Sequence, residues 1–132
     1  MKLVDANLFI YTFTRSPKED FETSVKILDR IKGGEEAFVT TLIVQEVVDW
    51  LEYNGLRDAV PTFLRALNSY VTLDKVDCTW LDMLRALDHM QKYSISFIDA
   101  TSLAVLERLN AREVYSNDKD FDRVDWLRRE FK

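Results

Sequence analysis

Short apolar runs alternate along this chain with longer stretches of helical periodicity, and that alternation constrains the fold more than any other feature. "KLVD" reads as a short buried strand and "ANLFIYTF" as the helix after it. "SPKEDFETSVKILDRIKGG" carries a full set of helix signals: Ser16 as N-cap, Pro17 in the first turn, Glu19 completing a capping box, Gly33 at the end. "EAFVT" is a second strand. "LIVQEVVDWLEY" puts apolar residues at 44, 47, 48 and 51, one face of a helix that Asn54-Gly55 breaks. "LRDAVPTFLRALNS" continues as a helix bent or started near Pro61, and "YVTLD" is a third strand. "DCTWLDMLRALDHMQKY" is a helix capped by Asp77, and "SFIDATSLAVLERLN" is another capped by Ser96. "EVYSN" is a short strand, and "DKDFDRVDWLRREFK" is a turn with a terminal helical or strand piece. Strands alternating with helices predict a parallel sheet with helices on both faces, in one domain over residues 1–132. In such sheets ligands bind at the carboxyl ends of the strands.

Composition narrows the class. The apolar fraction of 47% supplies a core, and the net charge of −5 argues against a broadly basic nucleic-acid surface, leaving room for a local one, while inviting a cationic partner. Cys78 is the only cysteine, so no internal disulfide forms, which fits a reducing compartment. Asp5 and Asn7 break any early apolar stretch, and no run reaches the ~18 apolar residues of a membrane helix, so the expectation is a cytoplasmic protein.

Carboxylates occupy awkward positions in this frame. Asp5 interrupts "MKLVDANLFIY" at the carboxyl end of the first strand. Glu46 falls in the first turns of the helix after the second strand, at the border of its apolar arc. Asp118 follows "EVYS" at the end of the last clear strand. Asp99 shares a helix face with Leu103 and Leu106, at i, i+4 and i+7, which predicts a carboxylate on a buried stripe near the helix N-terminus. A buried carboxylate is costly unless a donor or a cation holds it. Each acid has a local alternative: Asp5, Asp99 and Asp118 as caps, Glu46 as a solvated side chain. Four acids converging on one sheet edge repel one another, and an added cation makes the arrangement sensible. All-oxygen ligation suits Mg²⁺ or Mn²⁺. A hard cation that keeps several waters suits metal-assisted hydrolysis of a phosphodiester.

With "LVDANLFIY", Glu46 in "TTLIVQEV", "SFIDATSLAV" and "VYSNDKDF" in that order, the chain resembles the PIN domain family, the nuclease fold of VapC-type toxins. The resemblance spans nearly the whole chain. It implies a three-layer α/β/α sandwich around a mostly parallel sheet of four to five strands, and Mg²⁺- or Mn²⁺-dependent cleavage of RNA. Asp5, Glu46, Asp99 and Asp118 match the family's four acids, as catalytic and metal-holding residues. Ser116 stands where the family most often has Thr, and Asn7 matches a frequent polar position beside the first Asp. Asp120 and Asp122 are further acids nearby, with Asp120 a supporting candidate. The resemblance also implies a homodimer and inhibition by a small antitoxin protein.

The other chemistry-bearing residues read as structural. Cys78 and His89 share a helix face about 16 Å apart, too far for a dyad. One His and one Cys do not make a zinc site. Trp50, Trp80 and Trp126 read as core or interface residues rather than base-stacking ones. Lys119 and Arg123, close to the last acid motif, are either a solvated face or a phosphate-contacting rim. The reading is therefore an endoribonuclease toxin. Its rivals are a haloacid-dehalogenase-type phosphatase with Asp5 as nucleophile, which wants a second Asp where this chain has Asn7, and a catalytically silent PIN-like binding module.

Overall fold

The computed structural model describes residues 1–132. Five strands form one sheet in the order β3-β2-β1-β4-β5: β1 (Lys2–Val4), β2 (Ala37–Thr40), β3 (Leu73–Val76), β4 (Glu113–Tyr115) and β5 (Arg128–Glu130). Every pairing is parallel, with Leu3 opposite both Phe38 and Val114. β2 is buried at all four positions, as expected of an inner strand covered on both faces.

Six helices connect the strands: α1 (Ala6–Thr14), α2 (Lys18–Lys32), α3 (Thr41–Tyr53), α4 (Val60–Ser69), α5 (Trp80–Tyr93) and α6 (Phe97–Arg108). The chain steps from β1 to β2 to β3 in one direction and then crosses back from β3 to β4. Right-handed crossovers therefore put α1–α4 on one face and α5–α6 on the other. The direction reverses between β1 and β4. In sheets of this kind a crevice opens at that point, outside the strand carboxyl ends.

Several local expectations are revised. Ser16 does not cap α2. The helix begins after Pro17, which offers no side-chain bond, and Glu19 only adds charge in the first turn. Asp77 does not cap α5. Thr79 does, because Asp82 lies three residues on and closes a reciprocal capping box with it. β3 starts at Leu73 rather than Tyr70. The terminal segment is a strand, β5, whose Arg-Arg-Glu sequence is acceptable because it forms a sheet edge. α6 is more than a striped helix: Ala100 through Leu106 are all buried, so this helix is enclosed on every side. Ser96 caps it as expected, accepting from the Asp99 N–H at 3.2 Å.

The buried core of 30 residues runs from Leu3 in β1 to Leu127 just before β5. One charged group enters it away from the crevice. Asp82, its side chain 1% exposed, accepts a bidentate pair from Arg108 at 3.1 and 2.9 Å, and so ties α5 to α6.

Candidate active site

The crevice at the β1/β4 reversal is an acid-lined cleft of about 340 Å³, bordered by Asp5, Asn7, Glu46, Asp99, Asp118 and Asp120, with Ile10 and Trp50 on its wall. Asp5 leaves β1 as the N-cap of α1, with Oδ1 accepting from the Ala6 N–H at 2.8 Å. Its Oδ2 accepts from the Ser116 hydroxyl at 2.6 Å and from the Asn7 amide at 3.2 Å. Three bonds leave the buried carboxylate about one free lone pair.

Ser116 is fully buried and joins two acids. Its hydroxyl donates to Asp5 and accepts from the Asp118 N–H at 3.0 Å and the Asn7 amide at 3.1 Å. Asn7 Oδ1 in turn accepts from the Asn117 N–H at 3.3 Å. The start of α1 and the loop after β4 are thereby locked to each other. Below that loop, Arg129 donates to the Ser116 carbonyl at 3.1 Å and grips Asp122 with two bonds at 2.9 and 3.1 Å.

Asp118 Oδ1 accepts from the Asp120 N–H at 2.9 Å, starting the 3-10 turn Lys119–Arg123. That turn brings Asp120 back over the cleft, so that one carboxylate oxygen each of Asp99, Asp118 and Asp120 lie within 4.8 Å of one another. Asp99 is half-buried rather than sunk in a stripe, because the cleft opens over the first turn of α6. Glu46 is also half-buried.

Burial and mutual repulsion dominate the electrostatics. Desolvation, then the charges of Asp5, Asp118 and Glu46, push Asp99 up to about 8 from an ordinary 3.8. Glu46 rises to about 7 by desolvation and the charges of Asp5 and Asp118. Asp5 is raised by desolvation, against the hydrogen bonds from Ser116 and Ala6. Each shift reflects burial first and the neighbouring carboxylates second.

The structure thus gathers all four sequence-predicted acids, with Asn7 and Ser116 beside them. Asp120, which the sequence offers only as a supporting residue, joins the tightest trio. A loop aspartate two residues past Asp118 gives no periodic signal. Trp50, read as core or interface, packs against the core and also borders the cleft. Arg123 is no free rim: it is engaged by Asp120 at 3.2 Å and by the Ser94 carbonyl at 2.7 Å. His89 contacts Glu107 and stacks on Tyr93, away from the cleft.

A wholly parallel α/β sheet with carboxylates gathered at its reversal point defines the class. Within it, the chain belongs to the PIN domain family, whose model matches residues 2–127. No curated protein matches in sequence. Among solved structures it is similar to VapC20 of Mycobacterium tuberculosis, described as a Sarcin-Ricin loop cleaving toxin, at 16% identity and a TM-score of 0.77, over 96% of this chain and 97% of that one. It is similar to a toxin–antitoxin complex from Klebsiella pneumoniae at 15% identity and 0.69, over 96% and 95% of the two chains. It is also similar to VapBC2 from Rickettsia felis, bound to a DNA fragment from their promoter, at 13% and 0.71, over 98% and 96%.

Proposed function

We propose that this chain is a single-domain, Mg²⁺- or Mn²⁺-dependent endoribonuclease over residues 1–132, the toxin of a toxin–antitoxin pair. The convergence of Asp99, Asp118 and Asp120 in a cleft backed by Asp5 and Glu46 carries the reading. The donor set fits a hard divalent cation: all oxygens, no histidine or thiolate, and carboxyls whose pKa values rise through burial and mutual repulsion, which a bound cation would offset. Asp99, Asp118 and Asp120 would hold it, with Asp5 contributing its remaining lone pair. When bound, such an ion supplies charge to offset a phosphate oxyanion and acidifies a water. The chain supplies the rest. Ser116 and Asn7 hold the Asp5 carboxylate, and Ser116 ties the Asp118 backbone to it. Glu46, which borders the same cleft outside the trio, is free to take a proton from the attacking water. Asp5 is a poor nucleophile, buried with Oδ2 already bonded twice, which disfavours the phosphatase rival.

Family membership and the three toxin structures support the RNA substrate and the antitoxin partner. A homodimer is supported by the outer face of α5. There Trp80, Leu84 and Leu87, 74%, 46% and 57% exposed, form a stripe within one helical face. A second copy can cover it symmetrically. No helix is long and apolar enough to cross a membrane. The deciding experiment measures cleavage of single-stranded RNA by wild type and Asp5→Asn, in EDTA and with Mn²⁺ restored. Cleavage by wild type with Mn²⁺ alone is expected. Undiminished cleavage in EDTA, or a phosphoenzyme at Asp5, refutes the reading, and no cleavage under any condition favours the silent binding module.

A further inference from the structure

The acidic cleft is larger than its acids require. An ion keeping about four waters, at ~30 Å³ of liquid volume each, takes on the order of 120 Å³. The cleft holds about 340 Å³, the scale at which small-molecule sites begin. Beside the acids the cleft is bordered by two large apolar side chains, Ile10 from α1 and Trp50 from α3. Trp50 follows Glu46 by four residues, so the two side chains rise from the same face of α3 one turn apart. Trp50 is half-buried: it packs against the core and also borders the cleft. An aromatic surface beside the acids is suited to a flat, apolar-faced ligand.

The charges near the cleft bear on what that ligand needs. RNA-binding clefts usually combine a positive groove with stacking platforms. Here the neighbouring guanidiniums are already committed, Arg123 to Asp120 and Arg129 to Asp122, and the whole chain carries −5. Those two guanidiniums are poorly placed to contact phosphate, so base contacts that charge does not govern gain weight. Resting on the ribonuclease reading, we infer that Trp50 is a substrate-binding residue, the platform on which a base next to the cleaved phosphate stacks.

The test compares wild type, Trp50→Ala, Trp50→Leu and Trp50→Phe on a short single-stranded RNA of known cleavage position. A matched RNA carries an abasic residue next to that position. Base–aromatic stacking is worth roughly 1–3 kcal/mol, so Trp50→Ala and Trp50→Leu should raise KM about 5- to 150-fold, with kcat within about threefold. Trp50→Phe should recover most of the loss. The abasic RNA should weaken binding to wild type but not to Trp50→Ala, the coupling a shared contact demands. Thermal melts separate this from misfolding: Trp50→Leu keeps an apolar side chain on the core, and it should bind RNA more weakly while staying folded. Folded Trp50→Leu and Trp50→Ala with wild-type KM, or equal abasic penalties in wild type and Trp50→Ala, would overturn the inference and leave the ribonuclease reading intact. A wild type that cleaves no RNA while Asp118→Asn weakens Mn²⁺ binding would remove the ribonuclease reading, and this inference with it.

Discussion

Replacing Asp99 by Asn should stabilise the protein when no divalent ion is present, and the gain should depend on pH. Two effects oppose each other at this position. Asp99 lies in the first turn of α6, where the helix dipole favours a negative charge by about 0.3–1 kcal/mol. Desolvation and three neighbouring carboxylates act the other way and lift it from 3.8 to about 8. At ~1.4 kcal/mol per pH unit, that displacement corresponds to about 6 kcal/mol. Water reaching the half-open cleft screens about half, leaving about 3 kcal/mol, well above the dipole.

The sign follows from linkage. The folded pKa is raised, so the contribution to stability is complete below the unfolded pKa and is lost as pH rises through the folded one. Below about pH 4, the Asp99 carboxyl and the amide that replaces it are both neutral, and the two proteins should melt together. From about pH 4 to 8 the unfolded wild type ionises Asp99 while the folded one keeps its proton, so wild type falls behind. Above 8 the gap is constant. For a domain of this size ~3 kcal/mol is on the order of 10 °C in Tm. Thermal melts of both proteins in EDTA, from about pH 4.5 to 9, span the window between the two pKa values and measure it. A variant that melts below wild type at the alkaline end, or a gap that ignores pH, would mean that Asp99 acts as a helix cap and that the acids do not strain the apo fold.

Other perturbations separate the remaining parts of the structure. Ser116→Ala removes the 2.6 Å donor to buried Asp5 and should cost about 1.5–3 kcal/mol and more than roughly tenfold in RNA cleavage, whereas Ser116→Thr should keep both, as read by melts and initial rates. Arg108→Met strands Asp82, 1% exposed, and should destabilise toward the low end of ~3–5 kcal/mol in urea melts, because Arg108 itself is 34% exposed and water can enter; cleavage well below the Tm should survive. Leu84→Glu with Leu87→Glu should give a monomer in sedimentation equilibrium at tens of micromolar while the fold persists, and a wild type that is already monomeric would dismiss the α5 stripe as an interface.

How much of this site is legible in the sequence depends on whether a residue sits within a periodic element. Asp5 and Asp118 are conspicuous because a strand ending in a carboxylate breaks an apolar run. Glu46 and Asp99 can be placed because a helix's 3.6-residue period assigns a face to each position. Even so, phase places a side chain on a face without saying what lies above it. That is why the sequence puts Asp99 in a buried stripe, whereas it is half-buried beneath an open cleft while the residues after it are enclosed all round. Asp120 and β5 depend on contacts rather than period. Asp120 turns toward Asp99 because its N–H binds the Asp118 carboxylate and Arg123 pairs with it, and a 3-10 turn has no repeat from which to read either. β5 is held by backbone pairing to β4 and by Lys2 reaching Glu130 at 2.9 Å, so its polar side chains carry no strand pattern. The alternating pattern therefore fixes which edge of the sheet gathers acid. Which three oxygens lie closest is decided by a few hydrogen bonds in the loop after β4, and Ser116, bonded to both Asp5 and the Asp118 backbone, is the residue through which strand and loop determine one another.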